Sequence, residues 1–161
     1  MALFKKKHTN PEISSSPKSH SPYILLVEDE PTHVAVMRHT IQSAKPNYTL
    51  KVAGSLKEYR NIIATSLPDI ALIDIHLPDG KALEVLTSPP EAGLFPIVVI
   101  TSSGDEKIAV KAKKAGALDY IVKSTEAFKE MPHTIERILR EWKLIQERKQ
   151  TEEALRDSEE K

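Results

Sequence analysis

Short apolar runs alternate with amphipathic segments along most of this chain. Five runs are short, rich in Val, Ile and Leu, and bounded by turn residues, which is typical of buried strands. They cover residues 23–27, 48–53, 70–75, 97–100 and 119–122. Helical spacing of apolar residues follows them in 31–44, 56–66, 81–86, 105–115 and from Thr125 onward. The pattern predicts five strands and five helices in alternation, with a kink or restart of the last helix at Pro132.

Several predicted strands are continuous apolar runs rather than alternating ones. Such strands are typical of a parallel sheet that is covered by helices on both faces. Right-handed crossovers then give an open, doubly wound sheet. In that arrangement ligands bind beyond the carboxyl ends of the strands. The expected fold class is therefore α/β, with a five-stranded parallel sheet and a C-terminal helical extension.

Polar side chains stand at the carboxyl ends of four predicted strands, namely Glu28 and Asp29, Asp74, Thr101, and Lys123. Because parallel strands end at one edge of the sheet, these residues are expected to share a pocket. Carboxylates close together repel one another unless a cation neutralises them. Without a cluster of Cys or His, the expected cation is a hard one such as Mg²⁺. A carboxylate in such a site can also attack phosphorus and form an acyl phosphate.

Four fragments, LLVEDE, ALIDIHLPDG, VITSS and DYIVKS, occur in this order at the ends of predicted strands. Together they resemble the receiver domain of two-component response regulators, over Tyr23 to Glu141. The resemblance implies a flavodoxin-like sheet with order 2-1-3-4-5, counting the five predicted strands. It also implies a phosphorylated switch rather than an enzyme, with Mg²⁺ as cofactor. The implied partner is a histidine kinase or phosphotransfer protein that donates the phosphoryl group.

The resemblance assigns roles to the acidic residues. Asp74 is the expected phosphoacceptor and a Mg²⁺ ligand. Asp29 is expected to bind Mg²⁺ directly, and Glu28 to bind it through water. The backbone carbonyl of His76 completes the implied protein ligands.

The resemblance assigns the response to phosphorylation to three other residues. Thr101 is expected to contact the phosphoryl group and change position, Lys123 to pair with that group, and Tyr120 to swing inward. Ser124 follows the lysine, where the family usually has proline after a bond that is often cis. A cis bond before another residue costs about 3–4 kcal/mol, so the sequence leaves this loop geometry open. His33, like the other histidines apart from His76, has no phosphotransfer context and is interpreted as ordinary.

Composition excludes several other classes of protein. The formal net charge of zero gives the chain no basic field for direct binding of nucleic acid. The absence of cysteine removes disulfides and thiolate chemistry and fits a reducing, cytoplasmic compartment. No apolar run approaches the roughly 20 residues of a membrane-spanning helix. Neither a GxGxxG nor a Walker loop follows a predicted strand, which argues against nucleotide binding.

Two alternative functions remain at this point. An aspartate-nucleophile phosphatase of the haloacid dehalogenase type would also use Mg²⁺ and an acyl phosphate. It expects an Asp-x-Asp pair after the first strand, whereas His76 stands two residues after Asp74. The other alternative is a receiver-like interaction or dimerisation module without phosphorylation. The complete acidic set with Thr101 and Lys123 argues against that module.

The composition of the chain changes at both ends. Residues 1–21 are rich in Ser, Pro and Lys and predict a disordered leader. Residues 22–141 form the predicted receiver domain, and residues 142–161 a coiled-coil-like signalling helix or linker. The segment ALRDSEEK resembles the lead-in to sensor domains of the PAS type. That resemblance implies the N-terminal part of a longer, multidomain signalling protein.

A 3,4 spacing of apolar residues continues into the C-terminal segment, at Ile135, Ile138, Trp142 and Ile145. Such spacing favours the seam of a coiled coil, and hence a homodimer through the C-terminal helix. The alternative is one long amphipathic helix that packs on its own domain.

Overall fold

The computed structural model of this protein describes residues 21–102 and 106–159, so the predicted leader lies outside it except for Ser21. The elements, in chain order, are β1 (Tyr23–Val27), α1 (Pro31–Ala44), β2 (Thr49–Ala53), α2 (Leu56–Thr65), β3 (Ile70–Asp74), β4 (His76–Leu77), β5 (Gly80–Lys81), β6 (Ile97–Thr101), α3 (Glu106–Ala115), β7 (Asp119–Val122) and α4 (Thr125–Glu159). Two short 3₁₀ turns, Ala82–Val85 and Pro90–Ala92, lie between β5 and β6.

Five strands form one parallel sheet in the order β2-β1-β3-β6-β7. This is the predicted order 2-1-3-4-5, with the two-residue strands β4 and β5 left out of the count. In register, Val27 pairs with Ala53 and Ile73, and Thr101 pairs with Val122, so the strands end at one level. All residues of β3 and β6 are buried, as expected for central strands with both faces covered. The doubly wound α/β fold is confirmed.

Alternate residues of β1 supply two separate cores. Ile24 and Leu26 pack with α1 and α4 on one face of the sheet. Leu25 and Val27 pack with α2, α3 and the segment between β3 and β6 on the other face. Each face is sealed by apolar side chains, so polar side chains of the strands are left to the edges of the sheet.

The short helix predicted at 81–86 is a 3₁₀ helix over Ala82–Val85 rather than an α-helix, and Lys81 belongs to a strand. A two-stranded antiparallel hairpin follows β3, with His76 paired to Lys81, and a 3₁₀ turn follows the hairpin. The tight turn uses Gly80 at φ +155°, a conformation that suits glycine. The backbone amide of Ala82 donates to the carbonyl of Ile75 at 3.1 Å. Few residues remain before Ser88, too few to offset the cost of starting an α-helix.

The last helix, α4, is continuous through Pro132, so no restart occurs there. Ile135 and Ile138 are fully buried in the core beneath the sheet, so their assignment to an intermolecular seam is wrong. Trp142 and Ile145 are half-buried beyond them. No helix in the described part of the chain has both the length and the apolar character needed to cross a membrane.

Contact between α4 and its own domain extends to Lys149. The Nζ atom of Lys149 donates to the carbonyl oxygen of Glu91 at 3.1 Å, in the 3₁₀ turn that precedes β6. Residues 150–159 are exposed. The alternative of one long helix packed on its own domain therefore describes α4 as far as Lys149.

Two truncations test this description of α4. A chain that ends after Glu141 loses the half-buried Trp142 and Ile145, and we expect it to lose about 1–3 kcal/mol of unfolding free energy. A chain that ends after Gln150 keeps these contacts and should unfold within about 0.5 kcal/mol of the full chain. Urea denaturation of the three chains measures both differences. Equal stability of the two truncated chains would contradict the packing of this segment.

Candidate functional site

Three buried polar side chains lie at the carboxyl edge of the sheet. Glu28 follows β1, Asp74 ends β3 and Thr101 ends β6, and their exposed fractions are 2%, 7% and 1%. Among the residues that the structure describes, these three are the buried polar or charged ones. Lys123 follows β7, and its backbone amide donates to the carbonyl of Thr101 at 2.8 Å. Of the five residues that the sequence analysis expected in one pocket, these four lie at the same edge of the sheet, whereas Asp29 is exposed.

The ammonium group of Lys123 joins the acidic residues. Its Nζ atom donates to Asp74 Oδ2 at 2.6 Å and lies 3.0 Å from Glu28 Oε1. A third neighbour is His33 Nδ1, also at 3.0 Å. The three protons of the ammonium thus have three acceptors within hydrogen-bonding distance.

Backbone amides hold the remaining carboxylate oxygens. Asp74 Oδ1 accepts from the amide of His76 at 2.9 Å. Glu28 Oε2 accepts from the amide of Glu30 at 3.1 Å. Because both carboxylates are fixed by donors on separate elements, their oxygens are held at the edge of the sheet before any ligand arrives.

Burial and charge act in opposite directions on this cluster. Burial raises the pKa of Glu28, the hydrogen bond from Lys123 opposes that rise, and the neighbouring Asp74 adds to it. Burial lowers the pKa of Lys123, but its contacts with Asp74 and Glu28 outweigh burial and leave that pKa raised. Lys123 therefore stays protonated, and two buried carboxyl groups share its single ammonium group.

The chemistry of the donors suits a hard cation. Glu28, Asp29 and Asp74 offer carboxylate oxygens near one edge of the sheet, and oxygen is the ligand that Mg²⁺ prefers. Asp29 is exposed. In the described ranges, no three acidic, histidine or cysteine side chains converge closely enough to hold a metal ion. Two carboxyl groups beside one ammonium nevertheless leave a carboxyl oxygen set of the kind that a bound cation would favour in its ionised form.

Thr101 and Tyr120 have contrasting environments. Thr101 Oγ1 is buried and forms no hydrogen bond with any residue that the structure describes. A buried hydroxyl without a partner is uncommon, because it has lost its contacts with water. Tyr120, in contrast, is 36% exposed. Within the described residues the structure thus combines a buried hydroxyl without a partner and an exposed aromatic side chain.

Ser124 stands where the family that the sequence resembles usually has proline, and its side chain forms a hydrogen bond that proline cannot form. The Lys123–Ser124 bond is not among the cis bonds of the described residues. Ser124 Oγ accepts from the amide of Ala127 at 3.0 Å, and its carbonyl accepts from the amide of Phe128 at 3.0 Å. These are the hydrogen bonds of a serine N-cap. The loop after Lys123 therefore leads directly into a capped α4.

His33 was missed by the sequence analysis, which interpreted it as ordinary. It lies in the first turn of α1, with Nδ1 at 3.0 Å from Lys123 Nζ and 3.9 Å from Glu28 Oε2. The available signal was its position, five residues after Glu28 at the end of β1. That signal is weak, because the neighbour that gives His33 its context is ninety residues away in sequence.

Comparison with known proteins gives both relatives and fold neighbours. The chain is 32% identical over 130 residues to the methanogenesis regulatory protein FilR1 of Methanothrix harundinacea, matching 78% of this chain but only 29% of FilR1. The chain therefore spans less than a third of that relative's length.

Solved structures of similar fold include a response regulator from Chloroflexus aurantiacus, with a TM-score of 0.66 and 26% identity over 74% of this chain and 98% of that one. The Mn²⁺-bound form of response regulator Rcp1 has a TM-score of 0.59 and 21% identity, over 70% of this chain and 90% of that one. The family model of the response regulator receiver domain matches residues 24–136. This chain belongs to the response regulator receiver domain family.

Proposed function

We propose that this receiver domain is a phosphorylation-controlled switch in which Asp74 accepts a phosphoryl group from a histidine kinase or phosphotransfer protein. The observation that supports it most directly is the placement of Asp74, which ends β3 with Lys123 Nζ at 2.6 Å. A carboxylate held there is available as a nucleophile, and the ammonium beside it can neutralise charge on an incoming phosphoryl group.

Transfer proceeds by displacement at phosphorus. One carboxylate oxygen of Asp74 forms the bond to phosphorus while the bond to the donor's histidine nitrogen breaks, and that nitrogen keeps the electron pair. Lys123 then pairs with a phosphoryl oxygen. The backbone amide of His76, already 2.9 Å from Asp74 Oδ1, keeps the aspartyl group oriented during the reaction.

Mg²⁺ is the proposed cofactor of this reaction. The residues that would hold it are Asp29, Asp74 and the carbonyl of His76, with Glu28 acting through water. When bound, the ion supplies positive charge beside the phosphoryl oxygens. The raised pKa of Glu28, caused first by burial and also by Asp74, is consistent with a site that has an excess of negative charge.

The response to phosphorylation is assigned to Thr101 and Tyr120. The unpartnered Oγ1 of Thr101 is free to donate a hydrogen bond to the phosphoryl group. As Thr101 moves, the exposed ring of Tyr120 turns inward and alters the face of the domain around β7. We propose that this change passes to α4, which begins two residues after Lys123.

Phosphorylation by a small donor tests the proposal. We expect the intact mass of the chain to rise by one phosphoryl group after incubation with acetyl phosphate and Mg²⁺. Asp74→Asn should abolish the adduct, because the amide nitrogen and oxygen are far weaker nucleophiles than the carboxylate. Asp157→Asn, in the exposed part of α4, is the matched control and should be modified like the wild type.

Other outcomes identify the alternatives. An adduct that persists in Asp74→Asn would show that another residue is the acceptor. Repeated hydrolysis of a small phosphomonoester would indicate a phosphatase. No adduct on a folded wild-type chain would favour an interaction or dimerisation module without phosphorylation.

A further inference from the structure

We propose that His33 is a positioning residue for Lys123, holding the ammonium group beside Asp74 through a hydrogen bond to its Nδ1 atom. The inference rests on the proposed function of Asp74 as phosphoacceptor and adds a residue to that site. The observation behind it is the distance of 3.0 Å between His33 Nδ1 and Lys123 Nζ.

The direction of this hydrogen bond follows from the chemistry of the two groups. A lysine ammonium has three donors and no acceptor. In a hydrogen bond with this ammonium, His33 Nδ1 is therefore the acceptor. Lys123 then donates to Asp74 and His33, and its Nζ atom forms an ion pair with Glu28 Oε1 at 3.0 Å.

The position of the imidazole ring is fixed by two helices. His33 lies in the first turn of α1, where Pro31 occupies the first helical position and Glu30 accepts from the amide of Thr32 at 3.2 Å. On its other side the ring packs against Phe128 of α4, with centroids 6.1 Å apart and an angle of 54° between the planes. The backbone of α1 and the ring contact with α4 thus hold the Nδ1 atom in place.

Lys123 needs such an acceptor because its own side chain is flexible. Four methylene groups separate its charge from the backbone, so orientation must come from the groups around the ammonium. The two carboxylates attract it, but the charge at Asp74 changes when a phosphoryl group is transferred. The imidazole acceptor on α1 keeps one contact constant through that change, and it adds no carboxylate to an already acidic site.

Two substitutions separate the acceptor atom from the volume of the ring. His33→Leu keeps an apolar side chain of similar size and removes the acceptor. His33→Asn places an amide oxygen near the position of Nδ1 and keeps an acceptor. His39→Leu, on an exposed position of α1, is the matched control. The measurement is the rate of phosphorylation by phosphoramidate with Mg²⁺, followed by intact mass over a range of donor concentrations.

We expect His33→Leu to lower the rate at saturating donor about tenfold, the scale of one hydrogen bond to a charged group. His33→Asn should stay within about twofold of the wild type, since the acceptor is retained. The donor concentration at half-maximal rate should not change in either variant. Circular dichroism of each variant establishes that the fold is intact.

A double-mutant cycle with Lys123→Met completes the test. If His33 acts through Lys123, adding His33→Leu to Lys123→Met should produce no further loss of rate. A further loss of the same size as in the wild-type background would overturn the inference, as would equal rates for the Leu and Asn variants. A wild-type chain that forms no adduct would instead reject the proposed function itself, and this inference with it.

Discussion

A Lys123→Met variant is expected to lose about 3–5 kcal/mol of unfolding free energy near neutral pH, and less in acid. The substitution keeps the length of the side chain and removes its charge. Glu28 and Asp74 then remain buried without the ammonium that lies 3.0 Å and 2.6 Å from them. An unpaired buried charge costs far more than the net stabilisation of the original pair, because its hydration is not replaced.

The pH dependence follows from Glu28. Burial, and then Asp74, raise its pKa in the folded chain, while Lys123 opposes the rise. The folded state therefore binds more protons than the unfolded state at pH values between the ordinary and the raised pKa, and stability falls as pH rises through that window. Removing Lys123 raises the folded pKa further, so the variant should lose more stability at higher pH.

Urea unfolding without Mg²⁺, at about pH 5 and about pH 8, measures this difference. Lys129→Met, an exposed lysine in the first turns of the same helix, is the control and should change stability by less than about 0.5 kcal/mol at either pH. A Lys123→Met variant with the same loss at both pH values would contradict the assignment of the effect to the buried carboxylates.

Gly116→Ala is expected to cost about 2–5 kcal/mol of unfolding free energy, for two reasons that add. Gly116 ends α3 at φ +126°, a conformation that a side chain with Cβ rarely adopts. A Cβ atom there would also lie 1.9 Å from the carbonyl oxygen of Thr87, which is backbone and cannot rotate away. The C-terminal end of α3 would have to separate from the segment between β5 and β6.

Gly54→Ala is the matched control for that substitution. Its added Cβ would meet its nearest atom, Glu58 Oε1, at 3.7 Å, an ordinary contact distance. Its stability should stay within about 0.5 kcal/mol of the wild type in thermal or urea unfolding. Equal losses for the two glycine variants would contradict the close contact between Gly116 and Thr87.

The parts of the fold that the sequence predicts well are those with strong local patterns. The strands β3 and β6 are apolar up to their last residue because both faces are buried, and that burial can be predicted from their composition alone. Their parallel pairing brings Asp74 and Thr101 to one edge, so the position of the site follows from the positions of the strand ends. Gly116 follows the last residue of α3 at φ +126°, in keeping with the general preference for glycine just after a helix.

The wrong predictions arose where the spacing of apolar residues suits more than one packing surface. Ile135 and Ile138 have spacing that suits either a second helix or the underside of the sheet, and only tertiary packing decides between them. The segment 81–86 also has helical spacing. Its first residue, Lys81, belongs to the hairpin at Gly80, and the residues that remain are too few for an α-helix. His33 gains its role from Lys123, a contact that no local pattern encodes.

The continuity of α4 has a geometric consequence. A helix of 35 residues is about 50 Å long, and each residue turns it by about 100°. The direction in which a side chain at the exposed end faces, relative to the start of the helix beside Lys123, is therefore set by the number of residues between these two points. Inserting one residue after Gln150 would rotate every later side chain by about a quarter turn, whereas seven inserted residues would restore the phase and add about 10 Å. The direction in which the exposed end of α4 faces is therefore fixed relative to the edge of the sheet that holds Asp74.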